Sequence, residues 1–163
     1  MIKKATQTDR DVLAKLIRES FRDIAHRFEL TAENCPKHPS NCTSEWIDAD
    51  IERGVQYYIL YADEAPIGCV GVEKANADTC YIERLSVIPG MRGSRFGTEL
   101  LRYALERAVS IGARKVGIGI IDEQDELKAW YKRLGFIETQ KRNFPHLPFT
   151  VCLMEFELAE KAG

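Results

Sequence analysis

The stretch Ser86–Leu101, SVIPGMRGSRFGTELL, decides how the rest of the chain is read. An apolar run reaches Ile88, Pro89–Gly90 breaks it, a short basic loop carrying Gly93 follows, and from Phe96 apolar residues recur at helical spacing. A strand, a glycine-bearing loop and a helix start, in that order, can build an anion site. The helix N-terminus carries about half a positive charge and several N–H groups without partners. Glycines ahead of it let the backbone approach a phosphate closely. Arg92 and Arg95 add cations. Taken alone, the stretch fits a plain connection with solvated arginines equally well, because short glycine motifs recur by chance.

Working outward, the 163 residues suggest a single domain, residues 1–163, with enough chain to bury a core. Hydrophobic and charged fractions of 45% and 29% are those of an ordinary globular protein. A net charge of −2 argues against a dedicated nucleic-acid binder, which would show a concentrated basic face. No apolar run approaches the roughly 20 residues that span a bilayer, and the opening MIKKATQTDR lacks the apolar core of a signal peptide. An odd count of five cysteines favours reduced thiols over a disulfide framework. A cytoplasmic location is therefore expected.

The remaining elements follow from periodicity. Ile2–Thr6 suits a short strand. An amphipathic helix begins at Thr8, with Asp11 as its capping-box partner and Val12, Leu13, Leu16, Ile17, Phe21, Ile24 and Phe28 facing inward. A second helix starts near Thr43 or Ser44 and stops at Gly54. Val55–Ala62, the run IGCVGVEK and Cys80–Ile88 form a meander with short turns. A helix follows over Phe96–Ile111, then a strand over Lys115–Ile121, a helix in ELKAWYKRL and two last strands, FIETQ and TVCLMEFEL. This order implies an α/β (α+β) fold: a mixed sheet of about seven strands, mostly antiparallel, flanked by about four helices.

Strand YIERLSVIP, loop RGSRFG, an amphipathic helix, a strand and then WYKRLGF resemble the GCN5-related N-acetyltransferase (GNAT) superfamily. That family's loop reads Q/R-x-x-G-x-G/A after a strand ending V-x-P, and its later signature runs from an aromatic pair into K-x-L-G-F. Val87, Pro89, Arg92 and Gly97 match the first pattern; Tyr131, Leu134, Gly135 and Phe136 match the second. The element order agrees over nearly the whole chain. The resemblance implies acetyl-CoA as acetyl donor, held by Leu85, Ser86, Val87, Arg92, Gly93, Ser94, Arg95, Phe96, Gly97 and Thr98. It implies direct attack on the thioester by an amine of a small molecule or peptide, with Glu83 as general base and Tyr131 as acid toward the sulfur. The plain alternatives are a strand-edge glutamate paired with Arg84 or another cation, and an aromatic core residue beside Trp130.

Arg95 departs from the pattern, since it stands at the inner glycine. Either the chain is already helical there, or arginine is held in a glycine conformation and CoA binding suffers. The first is expected, because Gly93 and Gly97 remain and arginine suits phosphate. Gln124 replaces an asparagine that the family often has seven residues before its tyrosine. These two departures keep open a second reading, a CoA-binding sensor or regulatory module without catalysis. His38 and His146 lie in loops, NCPKHPSNC and FPHLPF, that commonly border the acceptor pocket in this superfamily, and are acceptor-side candidates. Cys35, His38 and Cys42 make a poor zinc pattern, and no metal is expected. Cys69, Cys80 and Cys152 are expected to be buried thiols. Neither nucleic acid nor a membrane is an expected partner; a homodimer is left open.

Overall fold

The computed structural model describes residues 1–158; residues 159–163 of the expected domain lie outside the described residues. Strand β1 (Ile2–Lys4) leads into helix α1 (Arg10–Arg27) and helix α2 (Ser44–Glu52). Strands β2 (Gln56–Ala62), β3 (Ala65–Lys74) and β4 (Thr79–Val87) form the meander. Helix α3 (Phe96–Ile111), strand β5 (Lys115–Ile121), helix α4 (Asp125–Arg133), β6 (Ile137–Asn143) and β7 (Thr150–Glu157) complete it. All seven strands join one sheet in the order β1-β2-β3-β4-β5-β7-β6. Every pairing is antiparallel except β4 with β5. The expected fold class is the one observed.

Local chemistry explains the boundaries. Asp63 and Glu64, both with positive φ (49° and 68°), make the tight β2–β3 turn, whose twist suits a hairpin. Thr43 Oγ1 accepts the Trp46 N–H at 3.3 Å and starts α2. Gly112 ends α3 at φ 98°. The start of α1 differs from expectation. The reciprocal cap joins Thr6 and Asp9, with the Thr6 N–H donating to Asp9 Oδ2 at 2.9 Å. Asp11 instead accepts from Ser44 Oγ. The cap lies two residues early because a short 3₁₀ turn, Gln7–Asp9, precedes the helix. Val12, expected inward, is 36% exposed.

The sheet separates two cores. Val70, Val72, Cys80, Ile82, Val116, Ile118 and Met154 pack under α3 and α4. On the other face Tyr57, Ile59 and Cys69 pack under Leu13, Leu16 and Ile17 of α1 and Ile47 of α2.

Strand β4 carries the deviation that matters most. Gly71 pairs with Glu83 but Cys69 pairs with Ser86, so Arg84 and Leu85 together oppose Val70 in a bulge. Arg84 there adopts φ 52°. The bulge changes the side-chain alternation. Glu83 shares its face with Ser86, Gly71 and Glu73, whereas unbroken alternation along β4 would have set it with Leu85 and Val87. An extra residue in the strand, invisible to a period of two, is the reason.

Candidate active site

Strands β4 and β5 pair only from Thr79–Tyr81 to Lys115–Gly117 and then diverge. Beyond Tyr81 the β5-facing edge of β4 has no strand partner among the described residues. Peptide groups along Ile82–Val87 are therefore open to an extended ligand adding as a strand. A 270 Å³ cleft occupies the opening, lined by Phe21 and His38 on one side and by Leu85, Leu127 and Tyr131 on the other. A second groove of 650 Å³ runs over the face holding Glu83, bordered by Arg53, Tyr81, Arg142 and Phe144. The two meet along Ile82, Arg84, Ile118 and Gly119. Gly119 is exposed in mid-sheet, with Val151 and Leu153 side chains 3.4–3.5 Å from where a Cβ would stand. Its missing side chain keeps the junction open.

The loop after β4 corrects the expectation for Arg95. Arg95 lies at φ 65°, ψ 14°, in the left-handed region rather than the helical one, and precedes the first residue of α3. Its carbonyl accepts the Glu99 N–H at 3.0 Å, so it caps the helix with its backbone. The chain must turn sharply from the Pro89–Met91 turn into α3, and it does so with Gly93 (φ 86°) and Arg95 both left-handed. The glycine-like geometry persists although the glycine is gone.

Arg95 borders an 820 Å³ cleft shared with Ser94, Thr98, Arg102, Trp130 and Arg133, and with the carboxylates of Glu99 and Glu106. Among the described residues, no carboxylate pairs with Arg95, Arg102 or Arg133. Unpaired guanidinium groups beside a helix N-terminus fit a polyphosphate. Gly97 lies against Trp130, and a Cβ there would stand in ordinary contact, 3.6 Å from the indole. Arg92 behaves differently. Its guanidinium donates to Asp23 Oδ2 at 2.7 Å, to the Val87 carbonyl at 3.1 Å and to the Ser20 carbonyl. It straps the loop to α1, and its charge is already met.

Glu83 sits in a network the sequence did not suggest. Arg53, at the end of α2, donates to Glu83 Oε2 at 3.2 Å, to Asp50 Oδ1 at 3.1 Å and to Glu73. Asp50 Oδ2 accepts from Tyr57 Oη at 2.6 Å and from Arg84, which also donates to Tyr57 Oη at 3.1 Å. Arg84, named in the plain alternative as one possible partner of Glu83, thus belongs to Asp50, and the cation that Glu83 meets is Arg53. Burial, then the neighbouring Glu73, pushes the Glu83 carboxyl up to about 7. The hydrogen bond with Glu83, then Arg53, draws Glu73 below the usual range. Asp50, Arg53 and Glu73 went unnoticed in the sequence because they are charged residues of ordinary helical or strand runs. The one available signal was the hairpin register, which sets Glu73 diagonal to Glu83.

Tyr131 is 5% exposed, its ring edge-on to Trp130 at 4.8 Å and to Phe136 at 5.2 Å. Burial raises its phenol, so the proton stays on at neutral pH. Gln124 precedes α4 and lines the same cleft. His38 is buried in that cleft's wall; its Nδ1 accepts the Ser40 N–H at 3.2 Å, which leaves the proton on Nε2. Burial lowers it to about 4. His146 is exposed and lies 5.7 Å from the Phe144 ring.

Cys35, His38 and Cys42 do not converge: His38 Nδ1 is engaged by Ser40, and Cys42 Sγ faces the Thr43 carbonyl and Arg84. The five cysteines are free and buried, as expected for Cys69, Cys80 and Cys152. Asp122, Glu138 and Cys152 do cluster, but Lys128, Lys132 and Lys141 supply ammonium groups to the two carboxylates. No helix of the described residues is long and apolar enough to cross a membrane.

The acetyltransferase (GNAT) family model matches residues 15–136, from α1 through the loop to Phe136. The chain belongs to the GNAT acetyltransferase family. Three solved structures show the same fold. PaiA N-acetyltransferase from Thermoplasma acidophilum, in complex with coenzyme A, is 18% identical, with a TM-score of 0.80 over 97% of this chain and 98% of that one. YncA, a putative acetyltransferase from Salmonella typhimurium with acetyl-CoA, is 17% identical at 0.73, covering 100% and 96%. A GNAT family acetyltransferase from Elizabethkingia anophelis with acetyl-CoA bound is 16% identical at 0.70, covering 97% of each. The expected family, and with it the acyl-transfer class and its acetyl-CoA donor, stands.

Proposed function

We propose that the protein transfers the acetyl group of acetyl-CoA to a primary amine of a small molecule or peptide. The observation that carries this reading is a half-buried carboxyl, Glu83, raised to about 7 at the edge of the opening between β4 and β5. An alkylammonium, with an ordinary pKa near ~10.4, must lose a proton before it attacks, and a base poised near neutrality suits that task.

Acetyl-CoA supplies the thioester. The unpaired edge of Leu85, Ser86 and Val87 would hold its pantetheine arm, and the α3 start with Gly93, Ser94, Arg95, Phe96, Gly97 and Thr98 its pyrophosphate. Arg92 contributes by fixing the loop rather than by its charge. Glu83, directly or through a water, takes the ammonium proton. The amine nitrogen then bonds to the carbonyl carbon while a backbone N–H of β4 donates to the oxygen. As the carbon–sulfur bond breaks, Tyr131, still protonated, faces the departing thiolate. His38, neutral at working pH, offers Nε2–H on the acceptor side, and exposed His146 stands at its margin.

Thiol release from acetyl-CoA across a panel of amines tests the reading. Turnover should rise with pH through about 7, because Glu83 must be deprotonated to act. Glu83→Gln should cut kcat by about 100-fold or more with CoA affinity nearly unchanged. A CoA-induced rise in melting temperature without thiol release for any amine would favour the non-catalytic CoA-binding module.

A further inference from the structure

Strands β3 and β4 set two carboxylates side by side. Glu73 pairs with Tyr81 and Gly71 with Glu83, so Glu73 is the diagonal neighbour of Glu83 on one face of the sheet. Both accept from the same side chain, Glu73 from Arg53 Nη1 and Glu83 Oε2 from Arg53 Nη2 at 3.2 Å. One guanidinium, Arg53, spans both from α2. Their side chains are 19% and 23% exposed, so solvent screens them weakly.

Counting the charges that meet here shows a mismatch. Asp50, Glu73 and Glu83 are opposed by Arg53 and Arg84. Tyr57 from β2 donates to Asp50 and stays neutral, because burial raises its phenol. Arg142 from β6 and Glu155 from β7 border the same groove. Glu155 answers Lys115 at 3.6 Å. Fully ionised, Asp50, Glu73, Glu83, Arg53 and Arg84 carry one excess negative charge among themselves, while Arg142, exposed on the groove's border, makes no ion pair with them. One added proton balances them, and a hydrogen bond between two carboxyl groups needs such a proton.

We propose that Glu73 and Glu83 work as one proton acceptor, in which Glu73 is a positioning residue that shares the proton Glu83 removes from the acceptor ammonium. The N–H bond of the ammonium breaks, an O–H bond forms on Glu83, and that hydrogen is donated onward to the Glu73 carboxylate. The proton returns to water after the acetylated product leaves. Arg53 holds the two carboxylates together when both are ionised and so limits their repulsion. The inference rests on Glu83 serving as the base. It adds that Glu73, together with burial, sets that basicity, so the titration is a property of the pair.

The test follows glutamate carboxyl groups by isotope-edited infrared or NMR titration, beside the pH profile of kcat/KM. The wild type should show a carboxyl titrating near about 7. In Glu73→Gln that transition should fall by at least about one pH unit, since the like charge is gone and an amide can donate to Glu83. The acidic limb of kcat/KM should move down with it. A Glu83 transition that stays near 7 in Glu73→Gln would overturn the pair. Melting temperature checks that the variant folds, and should it not, Glu73→Asp withdraws the carboxyl by one methylene and must also lower the transition. Full activity in Glu83→Gln would instead defeat the base assignment, while the spectroscopic comparison still reports whether the proton is shared.

Discussion

Two arginines of this chain occupy left-handed backbone, and they are opposites in every other respect. Arg84, at φ 52°, lies in the β4 bulge with its side chain 19% exposed. Its guanidinium meets Asp50 and Tyr57 and lies 5.6 Å from the Trp46 ring, and its carbonyl accepts from Ser86 Oγ at 2.8 Å. Arg95, at φ 65°, sits at the exposed start of α3 with no carboxylate partner among the described residues. A left-handed non-glycine residue costs roughly 1–2 kcal/mol. At Arg84 the surrounding contacts offset that cost, and the residue holds α2 to the bulge. At Arg95 only the backbone cap of α3, its carbonyl accepting the Glu99 N–H, stands against that cost, and the side chain is left free for a ligand. Strain next to a filled network is architecture; strain next to an open cleft is a mark of function.

Breaking the first half of this contrast should give the largest effect. Arg84→Ala leaves buried Asp50 with Arg53 as its remaining cation, and denaturant unfolding should show a loss of about 2–3 kcal/mol, the range for a lost hydrogen bond to a charged group. A loss below about 1 kcal/mol, the size typical of an exposed pair, would make the two arginines alike.

Substitutions at Arg95 should act on binding instead. Arg95→Ala should leave stability within about 0.5 kcal/mol and weaken CoA binding by about 1–3 kcal/mol, as measured by calorimetry. Arg95→Gly relieves the backbone and should raise stability by up to about 1 kcal/mol. It should bind CoA no more tightly than the alanine variant, because the lost cation is the same. Tighter binding by Arg95→Gly than by wild type would mean that the strain opposes the ligand.

Salt gives the finest separation. Between about 0.05 and 0.5 M the binding difference between wild type and Arg95→Ala should shrink, since an exposed cation is screened. The stability cost of Arg84→Ala should change little over the same range. A cost that falls as steeply as the binding difference would show that Arg84 is not sheltered.

The pairing of β3 with β4 carries the lesson about legibility. The strands, the turns and the position of Glu83 near the loop could be read from hydrophobic period and turn chemistry, which are local. The bulge could not, since one inserted residue leaves the composition of the strand unchanged yet turns Leu85 and Val87 to the face opposite Glu83. The backbone of Arg95 was misread for a related reason. Sequence preference puts arginine in right-handed helix, but the turn that delivers the chain to α3 fixes the angle.

By itself, then, the sequence determined the order of helices and strands, the family through RGSRFG and WYKRLGF, and the chemistry that a carboxylate and a tyrosine near that loop could offer. Tertiary structure alone decided the rest. It placed Asp50 of α2 and the adjoining Arg53 against Glu73 and Glu83, gave Arg84 to Asp50, tied Arg92 to Asp23, and buried His38 in the cleft wall while leaving His146 exposed. Periodicity and capping act over a few residues, so the chain spells them out. Charge pairing and burial act through space between residues up to 69 positions apart, and only the folded sheet brings those together.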